Sequence, residues 1–211
     1  GEGEPLVLFR GKPRRLSVTS YTEWVLGGSR LATASHITTE YDSTHGAIYA
    51  RNPWSHFFPD RVAFSRLSGN ISAWTADRAD FIGHNGTLDN PAGLASQRQI
   101  RATVGTGRDS CAALQTQVLL RSSGKAEVIA LLGDALNKDE AHRLIEKYAR
   151  VDAGAALGAT VESWDKLLNK VQVKTPDRAL DVLMNRWLPY QTLSCRLWGR
   201  AGLYQAGGAY G

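Results

Sequence analysis

The stretch that decides the reading is Thr175–Gly211, TPDRALDVLMNRWLPYQTLSCRLWGRAGLYQAGGAYG. Thr175 can cap a helix, Pro176 suits the first helical position, and Asp177 complements the positive end of the helix dipole. Leu180, Leu183, Met184, Trp187, Leu188, Gln191, Ser194, Cys195 and Trp198 then recur at three- and four-residue spacing. That spacing predicts a helix with an apolar stripe. Two tryptophans in the stripe call for a large packing partner. Pro189 removes the hydrogen bond that would reach the Asn185 carbonyl, so a kink is expected there. Arg196 and Arg200 lie four apart, on one face. After Leu203 and Tyr204 the sequence turns glycine-rich, at Gly207, Gly208 and Gly211. A heavily apolar helix running into such a turn predicts a fragment of a longer protein.

Upstream, residues 5 to about 135 read as strands. Pro5–Arg10 is a short apolar run, and Arg14–Leu26 alternates, with Leu16, Val18, Ser20, Thr22 and Trp24 on one face. Leu31–Tyr41, Ala47–Arg51, Arg61–Leu67 and Ile71–Ala76 read as further extended segments separated by turn signals. Gln115–Arg121 and Lys125–Leu132 flank Ser122-Ser123-Gly124, which predicts a hairpin. Many strands with no helical period between them predict antiparallel sheets packed as a β-sandwich. The pattern breaks at Asp77–Pro91, DRADFIGHNGTLDNP. A loop so rich in Asp, Asn, His and Arg could line a sugar site, or tie itself down with Asx turns and an Asp–Arg pair. At Asn137 the period becomes helical, with Glu140 completing a capping-box-like start and Ala141, Leu144, Ile145 and Tyr148 following. The small residues of Val151–Ala159 are expected to end that helix, and Thr160 to cap a second one carrying Val161, Trp164, Leu167, Leu168 and Val171. The expected organisation is a partial sandwich over 1–135, a helical linker over 136–174 and a closing helix over 175–211.

Composition narrows the classes. Of 211 residues, 43% are hydrophobic and 21% charged, values typical of a folded globular chain. The net charge is +5, but apart from Arg10–Arg15 the basic residues are scattered, with no basic helix interleaved by aromatics. Nucleic acid is therefore not an expected partner. A mild cationic excess suits an anionic small substrate, and equally a fragment whose acidic complement lies elsewhere. The two cysteines, Cys111 and Cys195, form no CxxC and no metal-ligand spacing, so both are expected reduced and buried. The sequons at Asn70 and Asn85 are short enough to occur by chance. No long apolar run or signal peptide is present in these residues.

Several stretches, in order, carry a resemblance to a known family: Arg14–Thr19, Glu23–Gly27, Asp77–Gly83, Asp109–Gln115, Asn185–Leu193, Trp198-Gly199-Arg200 and Gln205–Gly211. The series resembles the inverting glycoside phosphorylases that include cellobiose and chitobiose phosphorylase. It is most similar to the phosphorylase-like C-terminal region of the cyclic β-1,2-glucan synthases. The resemblance implies a large β-sandwich, a helical linker and an (α/α) barrel, of which this chain would hold the sandwich in part, the linker and the first barrel helix. It implies a parent enzyme that processes β-glucans by inverting phosphorolysis or glucosyl transfer, with inorganic phosphate as co-substrate and no cofactor. It also implies a β-linked glucan or oligosaccharide as partner, a possible homodimer, and a place on the cytoplasmic side within an inner-membrane protein.

One family residue carries over. Arg200, in W-x-R, matches an arginine that helps to bind phosphate; read without the family, it pairs a carboxylate at a helix end. In the family an Arg-Asp pair follows the glycine-rich turn and the Asp holds the transferred sugar, with the catalytic acid and a phosphate-holding histidine further on. All of these fall beyond Gly211, so no catalytic residue and no metal ligand is assigned here, and the fragment alone is expected to be inactive. A second family arginine has no counterpart, because Gly208 or Ala209 stands in its place, which fits a sugar other than cellobiose. Two other classes remain open: a non-catalytic carbohydrate-binding sandwich, and a structural or assembly domain built on the amphipathic helices.

Overall fold

The computed structural model of the chain describes residues 12–95, 99–121 and 124–198, in two compact units that divide after Arg150. The Pro5–Arg10 run, Arg200 and the glycine-rich turn lie outside the described residues.

The first unit is built on antiparallel strands, as expected. Strands β1 (Arg14–Glu23), β7 (Ser110–Leu120) and β5 (Ile71–Asp77) form one sheet in the order β1-β7-β5. A second sheet has the order β6-β2-β3-β4-β8, from β6 (Gly105–Thr106), β2 (Thr38–Asp42), β3 (Ala47–Arg51), β4 (Val62–Leu67) and β8 (Ala130–Ala135). Alternation decides what faces what. Ile48 and Ala50 of β3 and Ala63 and Leu67 of β4 meet Ala76, Ala112 and Leu114 of the opposite sheet, with Trp24 and Ile37 closing the layer. Each large side chain fully buried here contributes on the order of 2 kcal/mol. Tyr41 of β2 stacks on Trp74 of β5 at 4.0 Å between ring centroids and so joins the two sheets.

The alternate residues of the second sheet, Ala47, Tyr49, Val62, Phe64 and Ala135, pack against Ala141 and Ile145 of helix α3 (Lys138–Ala149). With both faces covered, β3 reads as a continuous buried run rather than an alternating one. Asn137 caps α3, accepting from Glu140 N at 2.9 Å, while Glu140 Oε2 accepts from Leu136 N at 2.7 Å, close to the expected capping box.

Several expectations are corrected. Leu31–Tyr41 is not one strand: Ser29 caps a short helix α1 (Arg30–Thr33), a 3-10 turn follows over Ala34–His36, and only then does β2 begin. The described strands within Gln115–Arg121 and Lys125–Leu132 do not pair with each other. Strand β7 lies in the three-stranded sheet, whereas β8 pairs with β4 from Val62↔Ala135 to Leu67↔Ala130. Neighbours in sequence here belong to opposite layers, because β4 offers β8 a free edge beside a helix-covered face. Leu16 and Val18 are exposed at the start of β1, and only its end reaches the core, through Trp24. Cys111 is buried as expected, but Cys195 is exposed.

The second unit is helical. Helix α4 (Ala153–Leu168) starts eight residues earlier than expected, with Asp152 as its cap, accepting from Ala155 N at 2.6 Å. Thr160 sits inside it and donates to the Ala156 carbonyl at 2.9 Å. The small residues 153–159 continue the helix rather than end it, since alanine is the best helix former. The closing helix is capped by Asp177 rather than Thr175, its Oδ1 accepting from Ala179 N at 2.8 Å. It runs from Arg178 to Trp198 as α-helical α5 (Arg178–Val182), a π-helical stretch Leu183–Trp187, α-helical α6 (Leu188–Gln191) and a second π-helical stretch Thr192–Trp198. The break expected at Pro189 is a widening: Leu188 N donates to Leu183 O, five residues back, just before the ring that lacks a donor. Trp164 of α4 contacts Tyr190 and Trp198 with ring centroids 5.0 and 5.3 Å apart, and Arg186 pairs with Asp165 at 2.6 Å.

Among the described residues no helix is long and apolar enough to cross a membrane.

Candidate carbohydrate-binding groove

Two features of the first unit have the chemistry of a site, and one supports the other. The first is a charge network at the end of the three-stranded sheet. Glu23 Oε1 accepts from Tyr21 Oη at 2.7 Å and from Arg78 Nε at 3.0 Å, while its Oε2 accepts from Arg30. Arg30 also donates to Asp109, and Arg78 lies 3.8 Å from the same carboxylate. Burial pushes the Glu23 carboxyl up, but hydrogen bonds from Tyr21 and Arg78 and the charges of Arg30 and Arg78 outweigh it and hold it below the usual carboxylate range. Burial and the bond to Glu23 push the Tyr21 hydroxyl far up, so it stays a donor. Burial likewise raises the Cys111 thiol, which makes it unreactive.

Glu23, Arg78 and Asp109 come from three of the stretches that carry the family resemblance, 23–27, 77–83 and 109–115. The network brings these three separate stretches together in space. It pairs two arginines with two carboxylates, each arginine reaching both acids. The loop at 77–91 follows its tied-down reading: Asp77 caps a short helix α2 (Arg78–Phe81) and pairs with Arg108 at 2.9 Å, and Asp80 Oδ2 accepts from Thr103 at 2.7 Å.

The second feature is a groove of about 700 Å³ lined by residues 26–28 together with Asn52, Ser55, Phe57, Phe58, Arg61 and Asp134. The network holds one wall of it, because Arg30 ties the chain leaving Trp24 back to Glu23 and Asp109. That wall turns at Leu26, whose φ is +42°, and then passes close to Thr33. A Cβ on Gly27 would lie 2.5 Å from Thr33 Cγ2, so glycine is required there. Thr33 Oγ1 donates to Ser29 O at 2.9 Å and to Val25 O, and Asn52 Nδ2 donates to Leu26 O at 3.0 Å. The opposite wall is the loop after β3. Asn52 Oδ1 accepts from Trp54 N at 3.1 Å, and Ser55 Oγ from Phe58 N at 3.1 Å. These bonds present Phe57 and Phe58 to the groove at 79% and 61% exposure, while Trp54, 76% exposed, stands outside the lining with its ring 5.3 Å from that of His36. The floor carries the ion pair of Arg61 with Asp134, Nε to Oδ2 at 2.7 Å.

Aromatic faces beside a fixed guanidinium–carboxylate pair can hold an uncharged polyhydroxylated chain: apolar C–H faces on the rings, hydroxyls on the polar floor. The sequence reading did not single out Asn52–Pro59. The signal was there, in three large aromatics set among Asn, Pro and Ser between two strands, where a loop offers them no burial.

Two antiparallel sheets packed face to face and followed by helices define a β-sandwich protein with a helical second unit. The chain belongs to the glycosyl hydrolase 94 family. The supersandwich-domain model of that family matches residues 9–151, and the catalytic-domain model of the superfamily matches residues 163–211. The first match ends at the boundary between the two compact units. The chain is 38% identical over 198 residues to the cyclic beta-(1,2)-glucan synthase NdvB of Rhizobium meliloti (strain 1021), covering 94% of this chain and 7% of the relative. It is 26% identical over 216 residues to an N,N'-diacetylchitobiose phosphorylase of Vibrio furnissii, covering 95% of this chain and 25% of the relative. A second N,N'-diacetylchitobiose phosphorylase, of Vibrio proteolyticus, is 30% identical over 141 residues, covering 66% of this chain and 17% of the relative. The chain thus spans a quarter or less of the length of the curated relatives it matches.

Proposed function

We propose that this chain is the sandwich and the opening helix of the catalytic domain of an enzyme that processes β-glucans by inverting phosphorolysis or glucosyl transfer, in the manner of a cyclic β-1,2-glucan synthase. The observation that carries the reading is the order of the two family matches along one chain, with 38% identity to a cyclic glucan synthase. The closing helix supports it. Trp187 and Trp198 are 53% and 59% exposed, as suits a barrel helix that keeps an apolar stripe for neighbouring helices. In this reading residues 136–174 link the sandwich to that helix.

Phosphate attacks the anomeric carbon of a terminal glucose with inversion, while a carboxylic acid protonates the leaving oxygen. An inverting hydrolase needs a second carboxylate to activate water. Phosphate is already an anion, so cationic anchors replace the base. Arg200 is one such anchor, its guanidinium fork holding two phosphate oxygens at any working pH. Phosphate is the co-substrate and no cofactor takes part. The acid is assigned beyond Gly211, so the 211 residues alone do not turn over. In this reading these residues act on the cytoplasmic side as part of an inner-membrane protein, and the sandwich contributes to a homodimer. The test is phosphorolysis of β-1,2- and β-1,4-linked oligoglucosides. Turnover by the 211 residues alone would refute the placement of the acid. In the longer protein, Arg200→Lys should raise the KM for phosphate about tenfold or more.

A second reading, a non-catalytic carbohydrate-binding sandwich, is favoured by the exposed aromatic loop of Trp54, Phe57 and Phe58. Phosphate separates the two: glucan binding that ignores phosphate, in a longer protein that never cleaves, favours the binding module.

A further inference from the structure

Asp42, His45 and His142 converge between the β2–β3 turn and helix α3, away from the groove and the charge network. Each offers one ligand atom, and the three atoms all lie within 4.8 Å of one another. Asp42 Oδ2 is 2.6 Å from His45 Nδ1 and 3.4 Å from His142 Nε2. The carboxylate is fixed by its other oxygen, Oδ1, which accepts from Thr44 N at 2.8 Å and His45 N at 3.3 Å. The two imidazoles stack with centroids 4.6 Å apart and planes 17° apart, and the edge of His142 meets the Tyr49 ring. His142 Nε2 is enclosed and has no hydrogen-bond partner among the described residues, although a carboxylate lies beside it. Arg66 Nε donates to the His45 carbonyl at 3.0 Å and holds that backbone in place.

We propose that Asp42, His45 and His142 form a binding site for one divalent transition-metal ion of the zinc class. Two imidazole nitrogens and one carboxylate oxygen are a donor set for Zn²⁺, Co²⁺ or Ni²⁺, not for Mg²⁺ or Ca²⁺, which prefer all-oxygen shells. Ligand atoms about 2.1 Å from a tetrahedral ion stand about 3.4 Å apart. The Asp42–His142 separation already has that value, and the Asp42–His45 contact reaches it by opening less than an ångström. The ion accounts for the otherwise unpartnered Nε2. Glu146 Oε1, 3.6 Å from His45 Nε2, stands behind the ring where an outer carboxylate orients a metal-bound histidine. Three protein ligands leave the fourth position open to water. Asp42 and His45 sit in one turn, whereas His142 lies on α3, so the ion clips the helix to the sheet. No sequence spacing announces such a site, because its third ligand arrives through the fold.

The test is titration of the chelator-treated chain with Co²⁺, Zn²⁺ and Mg²⁺, repeated in Cys195→Ser because that thiol is exposed. One Co²⁺ per chain should give a visible d–d absorption band that Zn²⁺ abolishes. Zn²⁺ but not Mg²⁺ should raise Tm by a few degrees at a large excess over Kd. His142→Gln and Asp42→Asn should each weaken Zn²⁺ binding at least tenfold. Absence of a Co²⁺ band and of Zn²⁺ binding heat in the unaltered chain would overturn the proposal without recourse to any variant. Undiminished binding by a folded His45→Gln/His142→Gln double variant would overturn it as well.

Discussion

Asn185 and Val173 are joined by two hydrogen bonds: Asn185 Oδ1 accepts from Val173 N at 2.7 Å, and Asn185 Nδ2 donates to Val173 O at 2.8 Å. One side chain thus satisfies the whole polar complement of a residue outside the helix. Thr175 N is held in the same way by Asp181 Oδ1 at 2.8 Å. Replacing Asn185 with Ala leaves both Val173 groups without a protein partner in a half-buried setting. The expected loss is about 1–2 kcal/mol, read by urea denaturation followed through helical circular dichroism. Asn185→Asp should lose the Val173 carbonyl bond while keeping the other, and fall between the two.

The Glu23 network predicts a pH dependence with a definite sign. The folded carboxyl lies below the usual carboxylate range, because hydrogen bonds and arginine charges outweigh its burial. Its contribution is therefore complete above the unfolded value and is lost as pH falls through the lower folded value. Glu23→Gln should destabilise by about 1–2 kcal/mol at pH 7, partly screened because the group is about a third exposed. The gap between the two proteins should shrink in acid. Paired urea curves at pH 7 and in strong acid check this, and a gap that widened in acid would reverse the assignment.

The aromatic loop predicts a separation of binding from stability. Phe57 and Phe58 are largely outside the core, so Phe57→Ala and Phe58→Ala should leave Tm within a degree or two. Binding of β-linked oligoglucosides should weaken about tenfold, the scale of one lost aromatic contact. Titration calorimetry against β-1,2 and β-1,4 oligomers, beside a thermal scan, gives both readings on one sample.

A close approach in the second sheet predicts a strong steric effect. Gly133 of β8 pairs with Phe64 of β4, and a Cβ at position 133 would lie 2.6 Å from Phe64 Cζ. Gly133→Val should cost about 1–3 kcal/mol by overpacking, visible as a lower urea midpoint. Adding Phe64→Leu should recover part of that loss, which simple strand propensity would not do.

What could be read from the residues follows the range of the interaction involved. Ala47–Arg51 is found to the residue because turn formers bound it on both sides and its neighbours in sequence are its partners in space. The capping of α3 by Asn137 was equally local. The pairing of Lys125–Leu132 is not legible locally, because β8 joins β4, some 65 residues earlier. Asp152 rather than Thr160 caps α4 because, in the alanine- and glycine-rich run between them, only the glycines oppose helix. The family resemblance is legible in stretches that hold Glu23, Arg78 and Asp109, but the charge network those residues form is not, because it needs three distant segments to meet. Trp54, Phe57 and Phe58 carry no periodic signal, because periodicity identifies aromatics that are buried, and these are exposed.

The pairing of β4 with β8 sets a timetable for folding. The outer edge of β4 has no strand to join until the chain has been made through Ala135, and β1 waits for Leu120. During synthesis the early strands leave the ribosome with open edges, and the domain closes only when distant segments catch up. Any arrest of translation between those points strands a half-sheet that can recruit the same half-sheet from a neighbouring ribosome.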